Sequence, residues 1–306
     1  MGHEVVASNR GQLRRDKAKQ KFNILVYRDI NEMLRLNTVD AVVICSPNSF
    51  HKEHLAIAIE KGLNVFVEKP LAVVLDGLDE LKIKAAEQGL ITHVAANMRF
   101  HFGPNKVKEY LDIGFLGRPL WARFWGGMHL PDWHPNENYR DMYSASKRLG
   151  GGAVMDFIHE IDLILWMFGD PDKLAAITGR TGFLEIETED IADVIMSYKN
   201  RLQISLHIDY LQRPFQRGIH IVGDKGWVKW DLAEQKVEAF EHHSQKLHVI
   251  NYPSEYTQND MYLAQMEYFI SCIEYNTCSE SDISAGKKAL NLALNIKKSA
   301  SSSQFF

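Results

Sequence analysis

The sequence predicts an α/β protein in which a doubly wound parallel sheet is followed by a large, mostly antiparallel sheet. From residue 3 to about residue 97, strand-like and helix-like segments alternate, which is the pattern of βα units around a parallel sheet. From residue 173 to residue 250, strand-like segments follow one another without helices, which is typical of antiparallel strands. We therefore expect two domains, 1–98 and 99–306.

The first domain is predicted to contain five short strands separated by four helices. The strands are expected at 3–7, 24–27, 40–44, 64–67 and 92–95, and the helices at 11–20, 30–36, 49–61 and 75–88. The segment Ala41-Val42-Val43-Ile44 is apolar on both faces, as expected for a buried parallel strand. Gly62 and Gly89 are expected to end the helices before the last two strands.

The second domain begins with a change of pattern after Asn97. The expected elements are a helix at 104–113, a strand at 120–125, an irregular segment at 126–149 and one helix running through Asp156 and His159 to Phe168. Several strands follow, and two amphipathic helices at 261–275 and 285–298 precede a frayed tail at 299–304.

Composition excludes several classes of protein. The chain has 306 residues, of which 45% are apolar and 24% charged, as in ordinary soluble enzymes. A net charge of −4 without a basic stripe argues against nucleic-acid and membrane partners. The three cysteines form no CxxC pair, so neither zinc nor disulfides are expected. No apolar run could span a bilayer and the N-terminus lacks signal-peptide features, so we expect a cytoplasmic protein.

Two motifs carry candidate chemistry. Glu68-Lys69-Pro70 closes an apolar strand, and the carboxyl ends of parallel strands are where open α/β sheets bind ligands. Asp156 and His159 are three residues apart and are expected to share one helix face, where they could supply acid–base chemistry. The alternatives are a surface lysine and a histidine packed in the core.

The front of the chain lacks the element that normally holds a dinucleotide. No GxGxxG occurs, and residues 2–10 resemble the second strand of a nucleotide-binding domain. A first βα unit of roughly 25–30 residues would be missing. Either the chain starts at an internal methionine of a longer reading frame, which we favour because the rest of the domain looks intact, or the phosphate loop has been lost.

With these motifs, the chain resembles the glucose-fructose oxidoreductase / inositol dehydrogenase (Gfo/Idh/MocA) family. The matching motifs are Ser46-Pro47-Asn48 with His51, Glu68-Lys69-Pro70, and the glycines before Asp156 and His159-Glu160-Ile161-Asp162. The resemblance implies a Rossmann-like N-terminal domain and a C-terminal domain whose open sheet often forms a dimer interface. It also implies hydride transfer between a nicotinamide cofactor and a sugar, polyol or related compound. The missing glycine-rich turn departs from the family pattern.

The resemblance also implies roles for individual residues. Lys69, on a cis Lys69-Pro70 turn, would donate a hydrogen bond to the substrate oxygen, His159 would act as general base, and Asp156 would orient it or bind a substrate hydroxyl. The cofactor-binding set is Ser8, Asn9, Arg10, Cys45, Ser46, Pro47, Asn48, His51, Glu68, Lys69 and Asn97. The substrate-binding set is Arg99, Trp133, Tyr139, Tyr143, Lys147, Asp156 and His159. Asp162 is expected to be structural.

Alternatives remain for several of these residues. No acidic residue follows the strand at Ser8, and Arg10 suits a 2′-phosphate, which favours NADP over NAD unless Arg10 simply begins a basic helix. His51 could instead cap or pack its helix. The aromatic, basic segment 133–148 could instead pack at the surface against a partner subunit, and Arg99 could line the same cleft as that segment. His242-His243 lacks a further ligand, so no metal site is expected.

These observations predict an NAD(P)-dependent oxidoreductase that binds a sugar-like small molecule and forms a homo-oligomer, either a dimer or a tetramer. The alternative is a non-catalytic dimerisation or ligand-binding protein, which follows if the phosphate loop is truly absent. A reductase of a cyclic non-sugar carbonyl is a further enzyme alternative.

Overall fold

The computed structural model describes residues 2–302, which form two compact units divided between Val42 and Val43. In the first unit, strands β1 (Val6–Ser8) and β2 (Leu25–Tyr27) pair in parallel. Helices α1 (Gln12–Phe22) and α2 (Ile30–Leu36) complete it.

Local sequence explains the ends of these two helices. Asn23 ends α1 in the left-handed conformation, with φ of 52°, which asparagine tolerates better than most residues. Asp29 precedes α2, and its carboxylate accepts the backbone N–H of Glu32 at 2.9 Å, which satisfies a donor that the first helical turn leaves unpaired. Within this unit α1 has no buried side chain, so the helix covers little apolar surface.

Strands β4 and β5 of the three-stranded sheet β3-β4-β5 belong to the second unit, and the division between the units falls within β3. Its strands are β3 (Ala41–Ile44), β4 (Asn64–Val67) and β5 (Thr92–Val94), with helices α3 (His51–Glu60) and α4 (Leu78–Glu87) between them. β4 and β5 pair in parallel. The parallel α/β class is thus confirmed, with the described strands of this class in two ladders, β1-β2 and β3-β4-β5, rather than one.

The remainder of the second unit is built on an eight-stranded sheet. Its strands are β6 (Pro119–Gly127), β7 (Lys173–Gly179), β8 (Ile191–Ser197), β9 (Gln203–Asp209), β10 (Gln216–Gly223), β11 (Gly226–Asp231), β12 (Lys236–Glu241) and β13 (Lys246–Asn251). Their spatial order is β13-β12-β11-β10-β6-β9-β8-β7. Only the β6–β9 pair is parallel among these ladders, so the mostly antiparallel prediction is confirmed.

Five helices accompany this sheet. They are α5 (Phe102–Asp112), α6 (Ala153–Asp156), α7 (Ile158–Phe168), α8 (Gln258–Glu274) and α9 (Ile283–Ser302). α7 packs on β6, and α9 packs on β7. Alternation along β6 buries Ala122 and Phe124 on this covered face and leaves Trp121 and Arg123 exposed on the other. One face of the sheet therefore forms the core, and the other remains open within residues 2–302.

Two expectations about helices are wrong. Asp156 and His159 do not share one continuous helix, because the chain breaks at Phe157, with φ of −87° and ψ of 27°, between α6 and α7. The Asp156 carbonyl oxygen accepts a hydrogen bond from Lys69 instead of a helical N–H, and the Glu160 N–H bonds to the Phe157 carbonyl. The tail is helical as far as Ser302, where fraying from 299 was expected, and residues 303–304 lie outside the described residues.

Within residues 2–302, no helix is both long enough and apolar enough to cross a membrane.

Candidate active site

Lys69 is the second residue after β4, and its peptide bond to Pro70 is cis, as predicted. The ammonium donates a hydrogen bond to the backbone carbonyl oxygen of Asp156 at 2.9 Å. A lysine ammonium carries three N–H donors, so this bond fixes its direction and leaves donors for another acceptor. The strand end and the segment that carries Asp156 are therefore joined at the predicted catalytic lysine.

The Asp156 carboxylate is buried next to two tyrosine side chains, Tyr210 and Tyr143. Its Oδ2 accepts a hydrogen bond of 2.6 Å from the hydroxyl of Tyr210, which is itself fully buried. Its Oδ1 is buried without a partner among the described residues. Burial, and then the neighbouring Asp156 carboxylate, raise the pKa of Tyr143, which places that predicted substrate residue beside the same group. Asp156 thus offers one unsatisfied acceptor at the site.

His159 lies in the first turn of α7, half-buried. Its pKa is lowered well below the usual value, first by burial and then by the positive charges of Lys69 and Arg217. A neutral imidazole can accept a proton. The surroundings therefore favour the form of His159 that a general base needs.

Lys69 and His159 line one cavity of about 20 Å³. This volume is room for about one water molecule, so a ring-sized substrate would have to bind at its mouth or displace side chains. The other side chains around the cavity are mostly small or apolar. They belong to Pro70, Leu71, Val94, Ala95, Ala96, Ile158, Asp162, Ser281, Gly286 and Ala289.

Two predicted cofactor residues end in buried polar atoms that lack partners. Asn48 Nδ2, after β3, and Asn97 Oδ1, after β5, have no hydrogen-bond partner among the described residues. A nicotinamide ribose and carboxamide carry both donors and acceptors, and would satisfy such a pair at the carboxyl edge of the sheet. These residues of the second unit therefore fit the nicotinamide half of a dinucleotide.

The neighbouring Cys45 and Glu68 follow β3 and β4, respectively. Burial and the charge of Glu68 raise the pKa of the Cys45 thiol to about 11, so this thiol is protonated and poorly nucleophilic at neutral pH. Pro47 is exposed in the same turn. Cys45 and Pro47 could thus contact a cofactor through their surface and backbone atoms, but neither supplies a reactive group.

His51 contacts backbone rather than open space. Its Nδ1 lies 2.7 Å from the Pro70 carbonyl oxygen, and its Nε2 lies 2.7 Å from the Ser46 carbonyl oxygen. The Ser46 hydroxyl meets His54 Nδ1 at 3.0 Å. Since both ring nitrogens of His51 are engaged, the geometry favours the packing alternative, in which His51 joins the turns after β3 and β4.

Ser8, Asn9 and Arg10 lie in the first unit, at the end of β1. Asn9 Oδ1 accepts the Gly11 N–H at 2.9 Å, and the carbonyl oxygens of Asn9 and Arg10 accept hydrogen bonds from Arg15. These contacts order the turn that leads into α1. Their role toward a cofactor stays a prediction.

Arg99 makes contacts different from those expected of a substrate ligand. Its guanidinium forms two hydrogen bonds, of 2.8 and 2.6 Å, to the carboxylate of Asp162, and a third to the Glu280 carbonyl oxygen. Asp162 lines the cavity, whereas Arg99 does not. The bidentate pair joins α7 to the turn after β5, consistent with the structural role expected of Asp162.

The remaining substrate candidates lie in the irregular segment after β6. Trp133 packs edge-on against Tyr210 and Phe157, with ring centroids 5.5 and 5.9 Å apart. The Tyr139 hydroxyl accepts the Glu185 N–H, and the Lys147 N–H bonds to Glu187. Trp133 and Tyr143 are thus connected to the Asp156 region, whereas Tyr139 and Lys147 contact the segment at 185–187.

Sequence reasoning missed Tyr210, Glu160 and Arg217. Tyr210 meets Asp156 across 54 residues of chain. Glu160 is fully buried, and its carboxylate lies 2.6 Å from Nε of Arg217 on β10. A charged residue within the apolar run of α7 was the available signal for Glu160, because buried charges are normally paired.

Comparison with known proteins agrees with these motifs. Residues 3–96 match the model of the oxidoreductase family with an NAD-binding Rossmann fold, and residues 105–229 match the Gfo/Idh/MocA C-terminal domain. The myo-inositol 2-dehydrogenase of Thermotoga maritima is 25% identical over 295 residues, 92% of this chain and 84% of that protein. The 2,7-anhydro-N-acetylneuraminate hydratase of Mediterraneibacter gnavus is 26% identical over 71% of this chain and 59% of its own length.

The fold is shared with solved structures at low sequence identity. An oxidoreductase from Agrobacterium radiobacter, in complex with NAD⁺, L-tartaric acid and magnesium, superposes with a TM-score of 0.85 at 19% identity, covering 98% of this chain and 89% of that one. The chain spans less than two-thirds of the length of the first curated relatives that it matches. With both family models matched in order along it, the chain belongs to the Gfo/Idh/MocA oxidoreductase family.

Proposed function

We propose that this protein is an NAD(P)-dependent oxidoreductase that acts on a CH–OH group, or the corresponding carbonyl, of a sugar, polyol or sugar-derived compound. The observation that carries this proposal is the convergence of Lys69 and His159 on one cavity, with Lys69 also bonded to the backbone of Asp156. A cation that donates hydrogen bonds beside a neutral imidazole is the pair of groups that oxidation of an alcohol requires.

His159 and Lys69 have different roles at the substrate oxygen. In the direction of oxidation, His159 accepts the hydroxyl proton, while the Lys69 ammonium donates a hydrogen bond that stabilises the negative charge developing on oxygen. Asp156 Oδ1, which has no partner among the described residues, accepts a hydrogen bond from a neighbouring hydroxyl of the substrate. The nicotinamide, when bound, accepts or supplies the hydride.

Trp133, the partly exposed ring of an aromatic cluster, favours a carbohydrate-like substrate. Trp133, Phe157 and Tyr210 form a cluster next to the Asp156 carboxylate. Aromatic walls with a few fixed polar groups are typical of small-molecule pockets. Two relatives, a myo-inositol 2-dehydrogenase and a 2,7-anhydro-N-acetylneuraminate hydratase, support the same substrate class.

The test compares turnover with cofactor binding. We expect Lys69→Ala to reduce turnover of a sugar or polyol substrate by roughly 10²–10⁴, while the affinity for NADH or NADPH, read by fluorescence, changes little. The screening panel would contain myo-inositol, levoglucosan and 1,5-anhydro-D-fructose. Wild-type turnover in the Lys69→Ala protein would contradict the assignment. A wild-type chain that binds neither nucleotide would favour the non-catalytic alternative.

For the cofactor, we propose NADP ahead of NAD. Ser8 is the last residue of β1 and Arg10 follows it, where an acidic residue would otherwise bind the 2′-hydroxyl of NAD. The test is the ratio of NADPH to NADH affinity in wild type and in Arg10→Ala. Loss of a wild-type preference for NADPH in the variant supports the proposal, whereas tighter NADH binding in the wild type overturns it.

We also propose a homo-oligomer formed through the open face of the eight-stranded sheet. That face exposes large apolar side chains, including Trp121 at 42% and Ile195 at 54%. Successive ring contacts cross this face from Trp121 through His220 and Trp227 to Phe240. An apolar patch of this kind is typical of an interface. Light scattering should give a dimer or tetramer for the wild type and a smaller species for Trp121→Glu/Ile195→Lys; a monomeric wild type would contradict the proposal.

We propose a cytoplasmic location because the cysteines form no disulfide bonds. Cys45, Cys272 and Cys278 are all free, as is usual in a reducing compartment. Fractionation of the native host would test this directly.

A further inference from the structure

The short helix α6 begins at a glycine that has no side chain to cap it. Gly152 precedes Ala153 with φ of 113°, and it offers no side-chain oxygen to the N–H groups that the first helical turn leaves unpaired. α6 has four residues and ends at Asp156, so the orientation of this single turn decides where the Asp156 carboxylate points. The N–H groups at its start therefore need a partner from elsewhere in the chain.

Glu189, two residues before β8, is that partner. Its backbone carbonyl oxygen accepts the Ala153 N–H at 3.0 Å, and its carboxylate Oε1 accepts the Val154 N–H at 3.4 Å. A Cβ at position 152 would overlap with the same Oε1, so Gly152 leaves the space that the carboxylate occupies. The Glu189 side chain is 12% exposed, and Lys297 Nζ on α9 lies 3.0 Å from Oε1. Glu189 thus caps α6 from another element, and the last helix balances its charge.

The next residue, Asp190, connects the same segment to Tyr210. Its carbonyl oxygen accepts the Tyr210 N–H at 2.8 Å, and the Tyr210 hydroxyl donates to Asp156 Oδ2. The Asp190 carboxylate is fully buried and accepts hydrogen bonds from the N–H and the hydroxyl of Thr181. Two consecutive residues, Glu189 and Asp190, therefore hold both members of the Tyr210–Asp156 hydrogen bond.

The same segment also holds the chain next to Tyr143. The Thr188 hydroxyl donates to the Ser144 carbonyl oxygen at 2.8 Å, in a buried position, and the Gly152 N–H bonds to the same oxygen at 3.1 Å. Three parts of the proposed site, which carry Tyr143, Asp156 and Tyr210, are thus attached to residues 188–190.

We propose that Glu189, balanced by Lys297, is a positioning residue whose carboxylate caps α6 and thereby directs Asp156 Oδ1 toward a substrate hydroxyl. This inference rests on the proposed function, in which Oδ1 accepts a hydrogen bond from the substrate. The Glu189 carboxylate is engaged by α6 and Lys297, so it acts through Asp156 and not on the substrate. A polar group misplaced by a small distance loses much of its value to a reaction.

The first test compares KM with kcat in variants of Glu189. Glu189→Ala removes the cap, and we expect KM for the panel compound that the wild type turns over to rise about fivefold, the effect of losing one helix cap, while kcat changes less. Glu189→Gln keeps an acceptor oxygen and should restore a KM close to that of the wild type. A wild-type KM in Glu189→Ala would overturn the inference.

Asp170→Ala is the matched control. Asp170 also pairs with a lysine of α9, Lys288, but both side chains are exposed. We expect this variant to keep the KM of the wild type. A rise equal to that in Glu189→Ala would show that any ion pair of α9 has the same effect, and would contradict a specific role for Glu189.

A double-mutant cycle with Asp156→Asn shows whether Glu189 acts through Asp156. If it does, Glu189→Ala changes KM by less than about twofold in the Asp156→Asn background, because coupled positions are not additive. Where turnover is too slow, the dissociation constant of the same compound replaces KM. The same rise in both backgrounds would indicate a merely structural effect and would overturn the inference.

A third readout does not depend on turnover. The NMR signal of the Tyr210 ring carbon that bears the hydroxyl, in tyrosine-labelled protein and assigned with Tyr210→Phe, reports the hydrogen bond to Asp156. We expect this signal to shift in Glu189→Ala and to stay in place in Asp170→Ala, with the exposed Tyr275 as internal reference. An unshifted Tyr210 signal in folded Glu189→Ala would contradict the proposed positioning.

If Glu189→Ala does not fold, Glu189→Asp replaces it in all three tests. This variant draws the carboxylate back from α6 by one methylene, and the expected and contradicting results are the same. Absence of any nicotinamide-dependent turnover together with the expected NMR shift would refute the proposed function and leave the positioning of Asp156 by Glu189 standing.

Discussion

At the scale of single residues, Asp156 contacts Lys69 through its backbone and Tyr210 through its side chain. Its backbone carbonyl holds the Lys69 ammonium, and its carboxylate is held by Tyr210. The two contacts use different atoms, and Oδ1 has no partner among the described residues, which leaves it for the substrate hydroxyl of the proposed function. A change that removes either contact should therefore have its own signature.

Tyr210→Phe tests the side-chain contact. The variant leaves a buried carboxylate without its hydroxyl donor, which we expect to lower the free energy of unfolding by about 1–3 kcal/mol. We also expect KM to rise by a larger factor than that by which kcat falls. The measurement is urea unfolding at equal m-values together with steady-state kinetics. Tyr198→Phe is the matched control, because its hydroxyl donates to the Gly169 carbonyl at an exposed position. Equal losses in the two variants would contradict a special role for Tyr210.

At the scale of elements, an ion-paired histidine lies on the open face of the eight-stranded sheet. His207 on β9 stands opposite Asp193 on β8 and lies 2.8 Å from its carboxylate, and Asp209 Oδ2 is 3.2 Å away on the other side. Hydrogen bonds to Asp209 and Asp193, and their charges, raise the pKa of His207 to about 9. The imidazolium thus connects neighbouring strands.

The sign of the resulting pH dependence follows from the raised value. The folded pKa exceeds the unfolded one of about 6.5, so the stabilisation is complete below pH 6.5 and is lost as the pH rises through about 9. We expect the free energy of unfolding of the wild type to fall across this window, and His207→Gln to flatten the curve. Chemical denaturation at pH 6 and pH 9.5 measures both. Parallel curves for the two proteins would rule out His207 as the cause.

The elements also show what the sequence could and could not predict. Lys69 and the buried strand before it were predictable, because apolar runs and proline act locally. The break at Phe157 was not, because it depends on Lys69 binding the Asp156 carbonyl from a distant strand end. The Glu160–Arg217 and Tyr210–Asp156 contacts were missed for the same reason, since they depend on strand order in the eight-stranded sheet.

At the scale of the whole molecule, the two compact units differ in how much apolar surface they bury. Among the described residues, the first unit buries Val26, Met33 and Val42, and α1 buries none of its side chains. The second unit contains the remaining buried apolar residues, among them the large side chains Trp230, Tyr210 and Phe124. Local opening is easiest where few apolar contacts hold the backbone.

Hydrogen exchange should therefore separate the units. We expect the amides of residues 2–42 to exchange well before those of β6, β8 and β9, which lie inside the eight-stranded sheet. Mass spectrometry of peptides after timed labelling is the measurement, and α7 serves as an internal control for a well-packed helix. Similar protection in both units would contradict the expectation that the difference in buried apolar surface produces a difference in exchange rate.

The central claim is that Lys69 and His159 act together on one substrate oxygen. The most direct measurement is turnover of Lys69→Ala, His159→Ala and the double variant with the same substrate and nucleotide. Residues that work as a unit give strongly non-additive losses. The account predicts that the double variant is about as slow as the slower single variant. A double variant whose loss equals the product of the two single losses would show that the residues act independently, and would contradict the account.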